Sequence, residues 1–282
     1  MNTPSRRNID IDTVRGFGDE WTRFNQRNVS PEEREEIFAG YFGIFPFSDA
    51  SSTWEGFDAG CGSGRWAALV APKVAKLHLI DASAEALEVA RRNLEGAANC
   101  DFSCESVDEM SLRDASQDFG YSLGVLHHVP DTAAAIASCV KKLKPGAPFL
   151  VYLYYAFDNR PGWFTYLWRT SDAVRRVVAR LPHGPRYLIS QVLAVLVYWP
   201  LARTAAAGER IGINVSNWPL SFYAHRSFTV MRNDALDRFG TRLEQRFTRA
   251  RIAAMMKDAG LEDIRFSERA PFWCALGYRK KA

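Results

Sequence analysis

The sequence predicts an α/β protein built on a doubly wound, largely parallel sheet that carries a helical insertion. Three observations carry that expectation. From Trp54 onward, short apolar runs alternate with stretches of helical periodicity, as βαβ units require. A glycine-rich turn, Gly60-Cys61-Gly62-Ser63-Gly64, follows the first apolar run. The alternation then breaks over residues 156–231, a stretch rich in Trp, Tyr, Arg and Pro, and resumes toward the C-terminus.

The elements follow in order. Ser30 reads as the N-cap of a helix that has Pro31 at its first position, Glu32 and Glu33 near its positive end, and Ile37, Phe38, Tyr41 and Phe42 as its apolar face. Strands are expected at Lys76–Asp81, Asp101–Ser106, Phe119–Leu126 and Phe149–Tyr155, with helices at Ala84–Leu94 (capped by Ser83) and Thr132–Leu143, and one starting near Arg65. Inside the interruption, Trp163–Leu181 and Tyr187–Arg203 read as helices. Thr248 caps a last helix that runs to Asp258, and Ile264–Glu268 and Phe272–Tyr278 read as an antiparallel pair. The division expected is an N-terminal helical lid over 1–50, a core over 51–155 and 232–282, and a helical cap over 156–231.

Bulk properties narrow the function. With 282 residues, 47% of them hydrophobic and 24% charged, the chain can bury one large core and is neither disordered nor fibrous. A net charge of +4 with no basic stripe interleaved with aromatics gives no reason to expect a nucleic-acid partner. Five cysteines fit neither a zinc spacing nor a disulfide framework, which points to a reducing, cytoplasmic compartment, and no metal-ligand cluster stands out. Met1–Asp12 is polar and lacks a secretory h-region, and the longest uncharged run, Tyr187–Ala202, is shorter than the roughly 20 residues of a bilayer span.

The glycine turn sits between a strand and a helix, where the backbone folds tightly and approaches a ligand closely. Asp81, at the end of the next strand, stands where an acidic residue accepts the hydroxyls of an adenosine ribose; a lone strand-end Asp is more often a helix cap, but its place after the glycine turn favours the ribose. A nicotinamide dinucleotide is the competing cofactor. Gly60, Gly62 and Gly64 give G-x-G-x-G, however, rather than G-x-G-x-x-G, and Trp66 is expected to crowd a pyrophosphate.

The segments Asp58-Ala59-Gly60-Cys61-Gly62-Ser63-Gly64, Leu79-Ile80-Asp81-Ala82-Ser83, Asp118-Phe119-Gly120-Tyr121-Ser122, Val125-Leu126-His127-His128-Val129 and Leu143-Lys144-Pro145-Gly146 resemble, in order and spacing, class I S-adenosylmethionine (SAM)-dependent methyltransferases. The resemblance covers Trp54–Tyr155 and returns over the last forty or so residues. It implies a Rossmann-like seven-stranded sheet with the last strand antiparallel, and SAM as cofactor with S-adenosylhomocysteine as product. It also implies Asp58, Gly60 and Gly62 at the methionine part of SAM, Gly64 completing the turn, Asp81 at the ribose and Ala82 against the adenine. Where many relatives carry an acidic residue near the adenine amino group this sequence has Ser106, so Val107 and Asp108 are the alternatives there.

On the acceptor side, His127 and His128 at the end of the fourth strand are candidate bases for a hydroxyl or amine. Trp21, Tyr155, Tyr223 and Arg226 are candidate acceptor contacts; core packing is the competing role for each. A basic stretch from Arg169 to Arg186 precedes the uncharged run, so residues 163–203 read either as peripheral membrane contact or as a solvated face next to a buried helix. The reading is therefore a SAM-dependent methyltransferase acting on an O, N or C atom of a small or lipid-like molecule. The alternatives are an RNA or protein methyltransferase, disfavoured by Leu126-His127-His128-Val129 in place of an Asn-Pro-Pro-aromatic motif, and a non-catalytic SAM-binding scaffold.

Overall fold

The computed structural model describes residues 8–24 and 29–281; part of the expectation for Met1–Asp12 lies outside them. The elements in chain order are α1 (Ile11–Arg23), α2 (Pro31–Phe42), β1 (Glu55–Ala59), α3 (Ala67–Val70), β2 (Lys76–Asp81), α4 (Ala84–Asn93), β3 (Cys100–Cys104), β4 (Phe119–Leu123), α5 (Thr132–Lys142) and β5 (Pro148–Tyr152). They continue with α6 (Gly162–Val178), α7 (His183–Leu193), α8 (Trp199–Arg210), α9 (Phe228–Gly240), α10 (Arg249–Asp258), β6 (Leu261–Phe266) and β7 (Cys274–Arg279). Two compact units result: Met1–Asn25 with Glu35–Tyr155 and Leu243–Ala282, and Gln26–Arg34 with Ala156–Arg242.

The first unit is the α/β body. Its seven strands lie in the order β3-β2-β1-β4-β5-β7-β6, with β7 antiparallel to both neighbours. The chain winds one way from β1 to β3 and the other way from β4 to β5. The crevice between the carboxyl ends of β1 and β4 is thus the switch point where ligands bind in such sheets. The inner strands are apolar on both faces: β4 is wholly buried, as a strand sandwiched between helix layers must be. One core lies between the sheet and α5 and α10, around Ile136, Val140, Phe149 and Ile252. The other packs α2, α3 and α4 around Leu77, Leu79, Phe119 and Tyr121.

Several expected boundaries move. The strand expected to reach Leu126 stops at Leu123, because Gly124 turns at φ +78° and Leu126–His128 forms a 3₁₀ turn. β5 ends at Tyr152, opposite Cys274, where its partner β7 begins. The helix expected near Arg65 is only four residues long and gives way at Pro72 to a 3₁₀ turn. Trp66 does not face the glycine turn; it is buried among Phe38 and Tyr41, so its bulk says nothing about the ligand.

The second unit is helical. Its core joins Val178, Ala194, Tyr198 and Ala202 to Met231, Ala235 and Phe239. A buried ion pair, Arg175–Asp172 at 2.7 Å, anchors it. The Arg175 and Arg186 guanidiniums also donate to the carbonyls of Thr241 and Gly240 at the C-terminal end of α9, where a helix dipole favours cations. Two arginines of the expected basic face are therefore internal. α9 itself was not expected from the sequence. The pair α7–α8 is also longer than expected: a π-turn over Ala194–Tyr198 joins them into one helix, and Pro200 lies just past that turn.

Candidate active site

The glycine turn is shaped by the end of β1. The N–H groups of Gly60 and Cys61 both donate to the Ile80 carbonyl (2.7 and 3.1 Å), and Gly64 N–H closes on the Cys61 carbonyl at 2.9 Å. Gly60 holds φ +81°, and a Cβ there would stand 2.4 Å from the Val125 side chain. Gly62 holds φ +54°, and its Cβ would meet the Trp21 indole at 2.8 Å. Any side chain at either position would fill the cradle and strain the backbone. Gly60→Ala is expected to cost about 2–4 kcal/mol from left-handed strain and overpacking together. A thermal melt matching that of the parent chain would contradict the strain.

Asp81 holds the turn in place. Its Oδ2 accepts Gly62 N–H at 2.9 Å and its Oδ1 accepts Ser83 N–H at 2.8 Å. Ser83, not Asp81, caps α4, its hydroxyl accepting from Ala86 N–H. Each Asp81 oxygen keeps a lone pair for a further donor. Burial raises the Asp81 carboxyl above its usual range, against the pull of the Ser83, Gly62 and Ala82 backbone. Asp58, at the end of β1, is buried more completely. Burial pushes its carboxyl up to about 8, opposed by the Tyr121 hydroxyl, assisted by the Asp81 charge and weakly opposed by Arg65.

Two carboxyls crowded into a dry crevice favour a cationic ligand and resist a pyrophosphate. A sulfonium and an ammonium group answer that demand. Asp81 fits a ribose, and the glycine cradle leaves room for the backbone to touch the methionine part. Ala82 follows Asp81 directly, in the stretch leading to the α4 cap. Farther along the sheet, the Ser106 hydroxyl is shielded and has no hydrogen-bond partner among the described residues, and Val107 is buried in the core. Asp108 already accepts the Asn8 N–H at 2.8 Å. The residues around the crevice thus suit SAM, and Ser106 offers a hydroxyl without a hydrogen-bond partner among the described residues.

α1 lies along this crevice. Asp10 caps it, accepting Thr13 N–H at 2.8 Å. Phe17 and Trp21, one turn apart, mark one face. The Phe17 ring meets His128 edge-on at 5.0 Å, while Trp21 rests on Gly62 with the Arg65 guanidinium 5.2 Å from its ring.

The histidines sit on the 3₁₀ turn after β4 and differ in state. His128 Nδ1 donates to the Leu243 carbonyl (2.6 Å), because a carbonyl can only accept, and this fixes Nδ1 as the protonated nitrogen. His127 is fully buried, and neither of its ring nitrogens has a hydrogen-bond partner among the described residues. Its ring lies 3.9 Å from the Tyr154 ring, over which the Arg246 guanidinium stands at 5.0 Å. Burial, with lesser contributions from His128 and Arg246, holds His127 well below its usual pKa, so it is neutral at physiological pH. The segment Leu243–Phe247 supports the turn, Gln245 N–H donating to the His127 carbonyl at 3.0 Å. Nothing in the sequence pattern pointed to Asn8, Leu243 or Gln245, because each acts through tertiary contacts.

The remaining candidates have local partners. Tyr155 pairs with Phe247 in a short bridge and packs 5.7 Å from Phe272. In the helical unit the Tyr223 hydroxyl donates to Asp234 at 2.8 Å, and Arg226 lies over Phe222 at 5.3 Å.

A family model described as "Methyltransferase domain" matches residues 57–151, the stretch from β1 to β5. A ubiquinone biosynthesis O-methyltransferase of Hahella chejuensis is 32% identical over 175 residues, covering 56% of this chain and 72% of that protein. The protein of the same name from Erwinia tasmaniensis is 37% identical over 134 residues, 47% of this chain; the chain spans only 54% of that relative's length. An S-adenosylmethionine-dependent methyltransferase from Mesorhizobium loti shares the fold at a TM-score of 0.53, with 15% identity over 87% of this chain and 100% of that one. The antiparallel last strand, the switch-point crevice with its glycine cradle and ribose-type carboxylate, and these matches define a class. The chain belongs to the class I SAM-dependent methyltransferases, and SAM is the cofactor its site residues suit.

Proposed function

We propose that the protein transfers the methyl group of SAM to an oxygen of a small, phenol-like acceptor in the cytoplasm, an acceptor class suggested by the names of its relatives. The observation that carries this reading is His127: neutral, buried, with both ring nitrogens unpartnered, and flanked by Tyr152 and Tyr154 at the end of β4. SAM supplies the electrophilic methyl group. His127 takes the proton of the acceptor hydroxyl, His128 holds the turn through Leu243, and the tyrosine rings exclude water. Most of the remaining acceleration comes from holding the acceptor oxygen in line behind the transferred carbon.

In this reading residues 1–50 serve as the lid and 156–231 as the acceptor-binding segment. Trp21 from the lid and Tyr155 from the core are proposed acceptor contacts, and Tyr223 and Arg226 are the candidates that the helical segment offers by itself. Five free cysteines suit a reducing compartment.

The test uses SAM labelled in its methyl group, with a panel of catechols and other phenols, bulk RNA and a protein extract. Label passing into an organic extract of the phenol reactions supports the proposal; label only in RNA or protein refutes it. His127→Phe is expected to lower kcat by roughly a hundredfold with SAM affinity unchanged, and unaltered turnover would remove His127 from the mechanism. Because the His127 pKa is depressed, activity should persist as pH falls through 6.5 instead of declining there.

A further inference from the structure

The helical unit turns apolar side chains outward on two of its helices. Along α6, Trp163, Leu167, Val174 and Val177 recur at helical spacing, all exposed, with Tyr166 beside them at 73% exposure. Along α7, the π-turn and α8, a second stripe runs through Leu188, Val192, Val195, Leu196 and Trp199, again exposed. Ordinary surfaces scatter such residues singly; contiguous stripes mark a face that meets something apolar.

The charge around the stripes identifies the occupant. Residues 160–213 contain eight arginines, no lysine and two acids, Asp172 and Glu209, for a net +6. The whole chain carries +4, so the remainder is net −2. Of the two acids, Asp172 is buried in its pairing with Arg175. Arg169 and Arg176 are exposed and seven residues apart on one row of α6, flanking its apolar stripe; Arg176 also pairs with Asp172 at 2.9 Å, and the exposed Arg180 lies just past the helix end. Long cationic side chains beside an apolar stripe that bears Trp and Tyr are the composition of a helix lying at a lipid headgroup boundary.

A second copy of the chain fits this face poorly, because a two-fold contact would set the same arginines against each other. Crossing the bilayer fits poorly too. The helix His183–Arg210 is long and apolar enough to cross by length and composition, and only 28% of its most apolar stretch is buried. Its inner face, however, packs against α9, to which it is tied through Gln191, Tyr187 and Arg232. α9 carries Arg232, Asp234, Asp237 and Arg238 and cannot follow it into hydrocarbon.

We infer that the two apolar stripes, with their flanking arginines, dock the protein peripherally on an anionic lipid surface. This rests on exposed side chains and charge alone and is independent of the methyl-transfer reading.

The test is co-sedimentation of the full chain with vesicles of phosphatidylcholine alone and of phosphatidylcholine containing roughly one-third phosphatidylglycerol. Binding to the anionic vesicles that weakens with salt is expected. It should fall about tenfold in Leu188→Glu/Val192→Glu and severalfold in Arg169→Gln/Arg180→Gln. All these positions are exposed, and an unchanged thermal melt confirms that the variants fold. Equal binding to both vesicle types, no binding to either by the folded chain, or a dimer that Leu188→Glu/Val192→Glu dissociates would each overturn the inference.

Discussion

Asp81→Ala is expected to weaken SAM binding by at least tenfold while leaving the chain folded. The carboxylate does two things at once. It accepts the backbone N–H groups of Gly62 and Ser83 at 2.9 and 2.8 Å, and it presents its remaining lone pairs where a ribose would lie. Hydrogen bonds to a charged group contribute about 1.5–3 kcal/mol each, and about 1.4 kcal/mol is a factor of ten. Losing the ribose partner alone therefore meets the tenfold figure, and a loosened glycine turn adds to it. Calorimetric titration of the variant with SAM reads the effect; affinity equal to that of the parent chain would remove Asp81 from the cofactor site.

Asp58→Asn is expected to do the opposite to stability. The folded Asp58 carboxyl keeps its proton to about pH 8, because burial opposes its charge, whereas in the unfolded chain it ionises near the ordinary value of 3.8. Between those values the folded state binds more protons than the unfolded one, so stability falls as pH rises from about 4 to about 8 and levels off above. Asparagine has no proton to lose and removes that slope. The variant should thus match the parent near pH 4 and melt several degrees higher at pH 8 and above. The same substitution should weaken SAM binding, because the cofactor's positive charge would lower the Asp58 pKa, release its proton to solvent and pair with the carboxylate left behind. Melting curves at the two ends of this range check the sign; an advantage that shrinks with rising pH would reverse the account.

Much of this was legible in the sequence where function and fold share residues. Asp58, the three glycines and Asp81 are read together because a tight turn and a strand-end carboxylate leave a local signature, and the strands around them are continuous apolar runs. The signature fades where tertiary contact decides. α9 went unread because Met231, Ala235 and Phe239 are interleaved with four charged residues that weaken its periodicity. The long α7–α8 helix runs past both ends of the expected Tyr187–Arg203, because the residues added at each end, His183–Arg186 and Thr204–Arg210, carry no apolar periodicity of their own. Arg175 and Arg186 read as surface charge until α9, whose carbonyls they hold, was seen. The difference between His127 and His128 depends on Leu243, more than a hundred residues away, and no local pattern carries it.

The central claim is that the crevice at the ends of β1 and β4 holds SAM, and its most direct test is titration of the unsubstituted, full-length chain with SAM and with S-adenosylhomocysteine in a calorimeter. The account predicts saturable one-to-one binding of both, with proton release below pH 8 as Asp58 gives up its proton. Absence of binding by the folded chain, or binding that leaves Asp58 protonated, would contradict it.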